Sequence, residues 1–395
     1  MSKSKTDITE TLKRPRREEN QLSLIDVPFN WQREWWGMPD FSNDDIRPHS
    51  RITINFLTAE DRKTFAEKLG ITVTSQTDTA WFPPQERLKG CEFYYDGEKT
   101  PSRYPICIPS KGRWAVQTTG KVLDSLGVPY KFFVEQTEAA KYIEALGEDK
   151  VVIMPFNDLG QGSIPARNYI WEWAKERGYK RHWTVDDNIQ DFQRTHLTRR
   201  LRVAGGGFFN AMEDFVDRYE NVAMAGPHER GFVKVGWSNI PAFIQNTRVY
   251  SCILLDTTLP HRWLGRYNED TDLSLRLLKD GYCTAVFAVL LMNKAPTVGV
   301  RNSKAMIGGN TDNVYNTGDH RRAFAESLKE QHPDCVEVVW KFNRWHHQVD
   351  YSRFKGNKLK MRSGVTPTSC NNEYGMRLVR KEKELETSIT TILSC

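Results

Sequence analysis

The 395-residue sequence is poor in three things. Long apolar runs are missing: mean hydropathy is −0.61, and the longest apolar stretch, Thr284 to Met292, is far short of the ~20 residues a membrane-spanning helix needs. The start, Met1 to Asn20, lacks the apolar segment of a secretory signal, so the expectation is a soluble, cytoplasmic protein with no membrane partner. Cysteine is sparse and scattered: seven residues, at 91, 107, 252, 283, 335, 370 and 395, with none within four of another. That spacing excludes a CxxC zinc or redox pair and a disulfide framework, and predicts reduced, mostly buried thiols.

Net charge is the third scarcity. There are 56 Lys+Arg against 50 Asp+Glu, a net charge of +6. All of it is found between 340 and 363, where Lys341, Arg344, Arg353, Lys355, Lys358, Lys360 and Arg362 face Asp350 alone. Such a segment fits an anionic partner, nucleic acid first, or a solvated basic tail. Arg194, Arg199, Arg200 and Arg202 form a second cationic stretch.

The pattern along the chain divides it into four parts. Residues 1–22 are polar and mixed in charge, the composition of a disordered arm. Residues 23–90 read as a small aromatic-rich α+β module. In it, 51–56 alternates like a strand, and Thr58, with Asp61 in the first turn, caps a helix through Leu69 that Gly70 ends. Residues 91–363 change rhythm. Short apolar strands at 104–109, 129–134, 151–155 and 182–186 alternate with helices ending near Leu126, Leu146 and Arg177, which predicts an α/β domain with a mainly parallel sheet. Residues 364–395 are polar and read as a flexible tail.

Ligands of such sheets bind off the carboxyl ends of the strands. After the first strand comes Ser110-Lys111-Gly112-Arg113, cations beside a flexible Gly that suit a diphosphate or form an ordinary turn. Glu135 ends the second strand. After the third, a Gly-containing loop enters a helix that Ser163 can cap, with Arg167 and Asn168 near its positive end. The fourth ends in Asp186-Asp187-Asn188, adjacent oxygen ligands that favour Mg2+ or Mn2+ with substrate phosphates. Further on, Asn268, Glu269, Asp270 and Asp272 open an amphipathic helix, a placement that capping partly explains.

In this order the pieces resemble a nucleotide-sugar-dependent glycosyltransferase of the GT-A fold. More narrowly, Ile-Pro-Ser-Lys-Gly-Arg-Trp (108–114), Val134-Glu135, Trp-Thr-Val-Asp-Asp-Asn-Ile (183–189) and Arg-Trp-His-His-Gln-Val-Asp-Tyr (344–351) are similar to the TET-associated glycosyltransferases of phage DNA-modification systems. The resemblance covers about 104 to 360.

The resemblance implies transfer from a UDP-sugar, UDP-glucose first, to 5-hydroxymethylcytosine in phage DNA. Ser110, Lys111, Arg113, Glu135, Arg167, Asn168 and Asp186 would bind the donor, with Asp186 near the ribose. Asp187 and Asn188 would face a Mg2+ or Mn2+ ion, completed by His346 or His347, with His320 as a second candidate. Asn188 departs from the common Asp. Glu269 and Asp270 would hold the acceptor, with Asp270 as catalytic base. Arg344, Arg353, Lys355 and Lys358 would contact the DNA backbone. The hydroxymethyl group projects into the major groove, so base flipping need not be required. Two other readings fit the residues: a GT-A enzyme acting on protein or polysaccharide, and a non-catalytic DNA-binding or virion-associated protein.

Overall fold

A computed structural model describes residues 30–41, 50, 52–77, 80, 82, 93–196, 199–233, 240–265, 267–295 and 320–380. The expected arm, 1–22, lies outside them. Helix α1 (Ala59–Leu69) has the cap expected of it: Thr58 Oγ1 accepts from the Asp61 amide while Asp61 accepts from the Thr58 amide, and Gly70 closes the helix in the left-handed region. The expected strand before it is not formed. Ile52 and Ile54 are both exposed, and alternation without a neighbouring strand leaves the backbone with no ladder to join.

The α/β alternation then follows as β1 (Phe93–Asp96), β2 (Ile106–Pro109), α2 (Thr118–Leu126), β3 (Lys131–Glu135), α3 (Ala139–Leu146), β4 (Val151–Met154), α4 (Ile164–Glu176) and β5 (Arg181–Val185). Next come β6 (Ile189–His196), β7 (Arg199–Ala204), α5 (Gly207–Asp217), β8 (Val222–Glu229), β9 (Phe243–Gln245), β10 (Cys252–Asp256), α6 (Glu269–Lys279) and β11 (Cys283–Lys294). Helix α7 (Arg321–Gln331), the hairpin β12 (Val336–Lys341) and β13 (Arg344–Val349), and β14 (Arg377–Arg380) complete the described elements.

Among the described residues, twelve strands form one mixed sheet in the order β14-β1-β7-β6-β11-β8-β10-β5-β2-β3-β4, with β9 on β11. The strands expected at 104–186 form one all-parallel run in it, and β1–β7 and β8–β11 are further parallel pairs. Antiparallel pairs enter beyond β5, where β6 and β7 are joined by two residues, a link too short for a crossover. Helices cover both faces: α2, α3 and α5 share one buried cluster with the sheet, and α4 and α6 share others.

Two outer segments belong to this body. Trp35 packs among Phe215, Phe243 and Phe287, and the Trp36 carbonyl accepts from Arg218 Nη1 at 2.7 Å, so residues 31–41 extend the main core. The expected flexible tail is a working part of the sheet as far as 380. β14 pairs with β1, Met376 is buried, and Glu373 accepts from the buried Arg194. Composition hid this because one short strand and one ion pair suffice to anchor a polar segment. Cys107, Cys252, Cys283 and Cys335 are buried thiols and Cys370 is an exposed one.

Candidate functional site

Strand direction decides where the polar residues gather. β2, β3, β4, β5, β8 and β11 run one way and β10 runs against them. The carboxyl ends of the first group and the start of β10 therefore share one edge. That edge receives Ser110, Glu135, Asp186, Glu229 and Lys294 from strand ends, and Ser251 from just before β10.

The fully buried β5 delivers the acid pair. Asp186 Oδ1 accepts from Arg167 Nη2 at 3.1 Å, and its Oδ2 from Lys294 Nζ at 2.6 Å. Asp187 Oδ1 accepts from Arg113, and its Oδ2 from Ser110 Oγ at 2.6 Å. Burial pushes the Asp186 carboxyl up, but Lys294 and Arg167 outweigh it and hold the group below the usual range. For Asp187 burial dominates and the group is raised in spite of Arg113. Ser110 also shares its hydroxyl with Tyr142 at 2.7 Å. Lys111 is gripped by Glu135 at 2.9 Å and by Asp158, across the turn that Gly112 makes with a φ of +70°.

Arg167 is 6% exposed, and its guanidinium lies 4.6 Å from the centre of the Trp263 ring. Its Nε and Nη1 have no hydrogen-bond partner among the described residues. Donors left open in an interior point to an acceptor that arrives with a ligand. Asn168 does not share that role: its side chain clamps the Trp263 backbone with two bonds of 2.9 Å, which fixes the plate on which Arg167 lies.

The start of α6 meets the start of α4. Ser163 makes no capping bond; its hydroxyl donates to Glu269 Oε1 at 2.9 Å, and Arg167 lies 3.8 Å from the same oxygen. Burial pushes the Glu269 carboxyl up against the pull of Arg167, with Asp270 adding to the rise. Asp270 Oδ1 accepts from the Thr271 amide at 2.7 Å. Arg248 lies 4.8 Å from the Tyr250 ring centre and forms no ion pair among the described residues. Asp272 is occupied: Arg276 and the His332 ring, at 2.7 and 2.9 Å, hold it as a buried tie between α6 and the end of α7.

The expected metal set does not come together. Among the described residues no three His, Cys, Asp or Glu side chains converge, so Asp187, His346 and His347 do not form a site. Each oxygen of the two carboxylates already meets a protein donor. His346 accepts from Arg344 Nε at 3.0 Å on β13, and His320 stands before α7 with its ring 6.1 Å from Phe324. His347 is pushed down to about 4 by burial and then by Arg248 and His346. Spacing put these groups in the right order, but the donor chemistry around the acids is cationic. The residues present therefore do not fit a divalent ion.

Lys294, Arg248, Ser251 and Tyr142 escaped the sequence reading. Lys294 had a usable signal, since Asn293-Lys294 ends the longest apolar run and strand ends carry the site. Arg248 and Ser251 had none; Ser251 is held at a φ of +63°, where its carbonyl accepts from the Asp186 amide and its hydroxyl from Lys294.

The basic segment is pinned by amides and leaves its cations outside. Asn357 Nδ2 donates to the Leu278 and Tyr282 carbonyls, Asn221 Nδ2 to that of Lys358, and Asn246 Nδ2 to that of Phe354. Arg344, Lys355 and Lys358 remain exposed, while exposed Arg353 donates to the Asp334 carbonyl. Of the second cationic stretch, Arg194 is buried and paired with Glu373 and the Asp40 carbonyl. No helix among the described residues is long and apolar enough to cross a membrane.

A family model described as TET-Associated Glycosyltransferase matches residues 104–303, about half the chain, from the strand that carries Ser110 to beyond Lys294. No curated protein matches the chain.

Proposed function

The chain belongs to the TET-associated glycosyltransferase family, and from that premise we propose that it moves a sugar from a nucleoside diphosphate donor, UDP-glucose first, onto 5-hydroxymethylcytosine in phage DNA, in the host cytoplasm. The observation that carries the reading is the single sheet edge on which Arg167, with its open buried donors, stands between Asp186 and the carboxylates of α6. Donor diphosphate belongs beside Arg167, and Ser110, Tyr142 and Asp187 line the nucleoside side.

In the transfer, the acceptor hydroxymethyl oxygen attacks the anomeric carbon while the bond from that carbon to the diphosphate oxygen breaks. The electron pair leaves with the diphosphate, and the hydroxyl proton passes to the Asp270 carboxylate, with inversion at the anomeric carbon. Glu269, fixed by Ser163, positions the acceptor.

A DNA acceptor is supported by the basic edge and by the hairpin above it. β12 and β13 form a separate two-stranded ribbon, the size of element that the major groove admits. Its tip carries Lys341, Phe342, Asn343 and Arg344, with Trp340 and Phe342 more than half exposed. The test is to incubate the protein with hydroxymethylated and unmodified DNA and UDP-glucose, then digest and weigh the nucleosides. A hexose adduct on 5-hydroxymethylcytosine alone is expected, and Asp270→Asn should lower the rate at least ~100-fold without lowering the melting temperature. No adduct with any common nucleotide sugar would sink the reading.

A further inference from the structure

Four groups surround the place where a glycosyltransferase of this fold is expected to hold its metal. Asp186 is bracketed by Arg167 and Lys294, and Asp187 by Arg113 and Ser110. An entering divalent ion would have to displace a guanidinium or an ammonium from its carboxylate and then sit beside the displaced cation. Asn188 Oδ1 is buried and without a partner among the described residues, but a lone amide oxygen is a poor divalent site, and a sugar hydroxyl suits it equally.

The cations are built in. Lys294 ends β11 at a bulge, and the next amide, of Ala295, donates to the Asn188 carbonyl, so the lysine is tied to the acid turn by backbone as well as side chain. Its ammonium donates to Asp186 at 2.6 Å and to Ser251 Oγ at 3.0 Å, which leaves one of its three N–H bonds. Burial would lower the lysine, yet Asp186 more than offsets this and keeps it charged. Arg167 adds two open, buried donors. A diphosphate, with several anionic oxygens, matches that set of donors.

We propose that Lys294 and Arg167 together form a metal-free diphosphate clamp, so that donor binding and departure of the nucleoside diphosphate require no divalent ion. The proposal rests on the glycosyltransferase reading. In the transfer written above, the charge that grows on the departing diphosphate oxygen is met by the Lys294 ammonium and the Arg167 guanidinium, and no other co-reactant is needed. Asp186 orients both cations.

Calorimetry of the full chain with UDP and UDP-glucose tests this, in EDTA and again with Mg2+ or Mn2+. The expected result is the same Kd in EDTA as with metal. Lys294→Met should weaken binding at least ~10-fold, and Lys294→Arg should restore most of it. Removing the lysine also frees an oxygen of Asp186, so Mn2+ should recover part of the Lys294→Met loss, a gain that a merely structural lysine would not produce. The proposal is overturned alone if the wild-type chain binds UDP only with metal, or if Lys294→Met, melting as the wild type does, binds UDP unchanged. If no nucleoside diphosphate binds under either condition, the donor reading itself falls and takes the clamp with it.

Discussion

Buried histidines make the fold sensitive to acid at the level of single side chains. His182 is pushed down to about 3 by burial and then by Arg262, and His228 to about 4, chiefly by burial. Both ring nitrogens of His182 lack partners among the described residues, and its ring lies 5.8 Å from that of Trp171. A histidine lowered in the folded state is protonated first in the unfolded chain, so stability is complete above ~6.5 and drains away as pH falls towards the folded value. Replacing the ring by an apolar one removes that drain. In chemical denaturation, His182→Phe should gain about 2 kcal/mol relative to wild type at pH 5 compared with pH 7.5; an equal offset at both pH values would count against a neutral buried ring. At this scale the acids Asp186, Asp187, Glu269 and Asp270 were legible from strand and helix ends. Lys294, the cationic partner of Asp186, was not, since it lies many residues away along the chain.

Among the elements, the β12–β13 hairpin has the least ordinary turn. Phe342 and Asn343 both have positive φ, 53° and 56°. A two-residue turn between antiparallel strands wants that conformation, and Asn tolerates it, but Phe takes it with strain. A strained, exposed aromatic flanked by Lys341 and Arg344 is better explained by contact with a partner than by folding. Phe342→Ala should therefore lower kcat/KM on hydroxymethylated duplex DNA by about 10-fold, roughly 1.4 kcal/mol, with a smaller effect on the free hydroxymethylated nucleoside. Equal losses on both acceptors would remove the hairpin from DNA binding. Helix boundaries such as Thr58 to Gly70 could be read because capping is local. The strand at 51–56 could not, because a strand exists only when another chain segment offers its backbone.

For the whole molecule, the charge divides into a near-neutral body and a basic edge. Lys355 and Lys358 project from a segment whose backbone is tied down by Asn221, Asn246 and Asn357, so in the proposed reading they would meet DNA without reorganising the fold. Each of Lys355→Ala and Lys358→Ala should weaken binding to DNA of any sequence and reduce the slope of log K against log salt by about 1, measured by fluorescence anisotropy. An unchanged slope would mean that the edge faces solvent. Closure of the sheet by the C-terminal part also belongs to this scale. The backbone there is so close that a Cβ on Gly207 would lie 2.1 Å from the Tyr374 carbonyl oxygen, a proximity that composition does not express.

By itself the sequence determined the α/β rhythm from 104 onward, the Thr58 and Gly70 caps of α1, the acids at strand and helix ends and the basic segment, since each depends on neighbours a few residues apart. Tertiary structure alone decided that residues 31–41 and 373–380 complete the main body. It also decided that Asn168 serves Trp263, and that Lys294, Arg167 and Arg113 hold the acid pair where metal ligation was expected. Those outcomes depend on which strand lies beside which and in what direction, and pairing between distant segments has no signature in either segment alone.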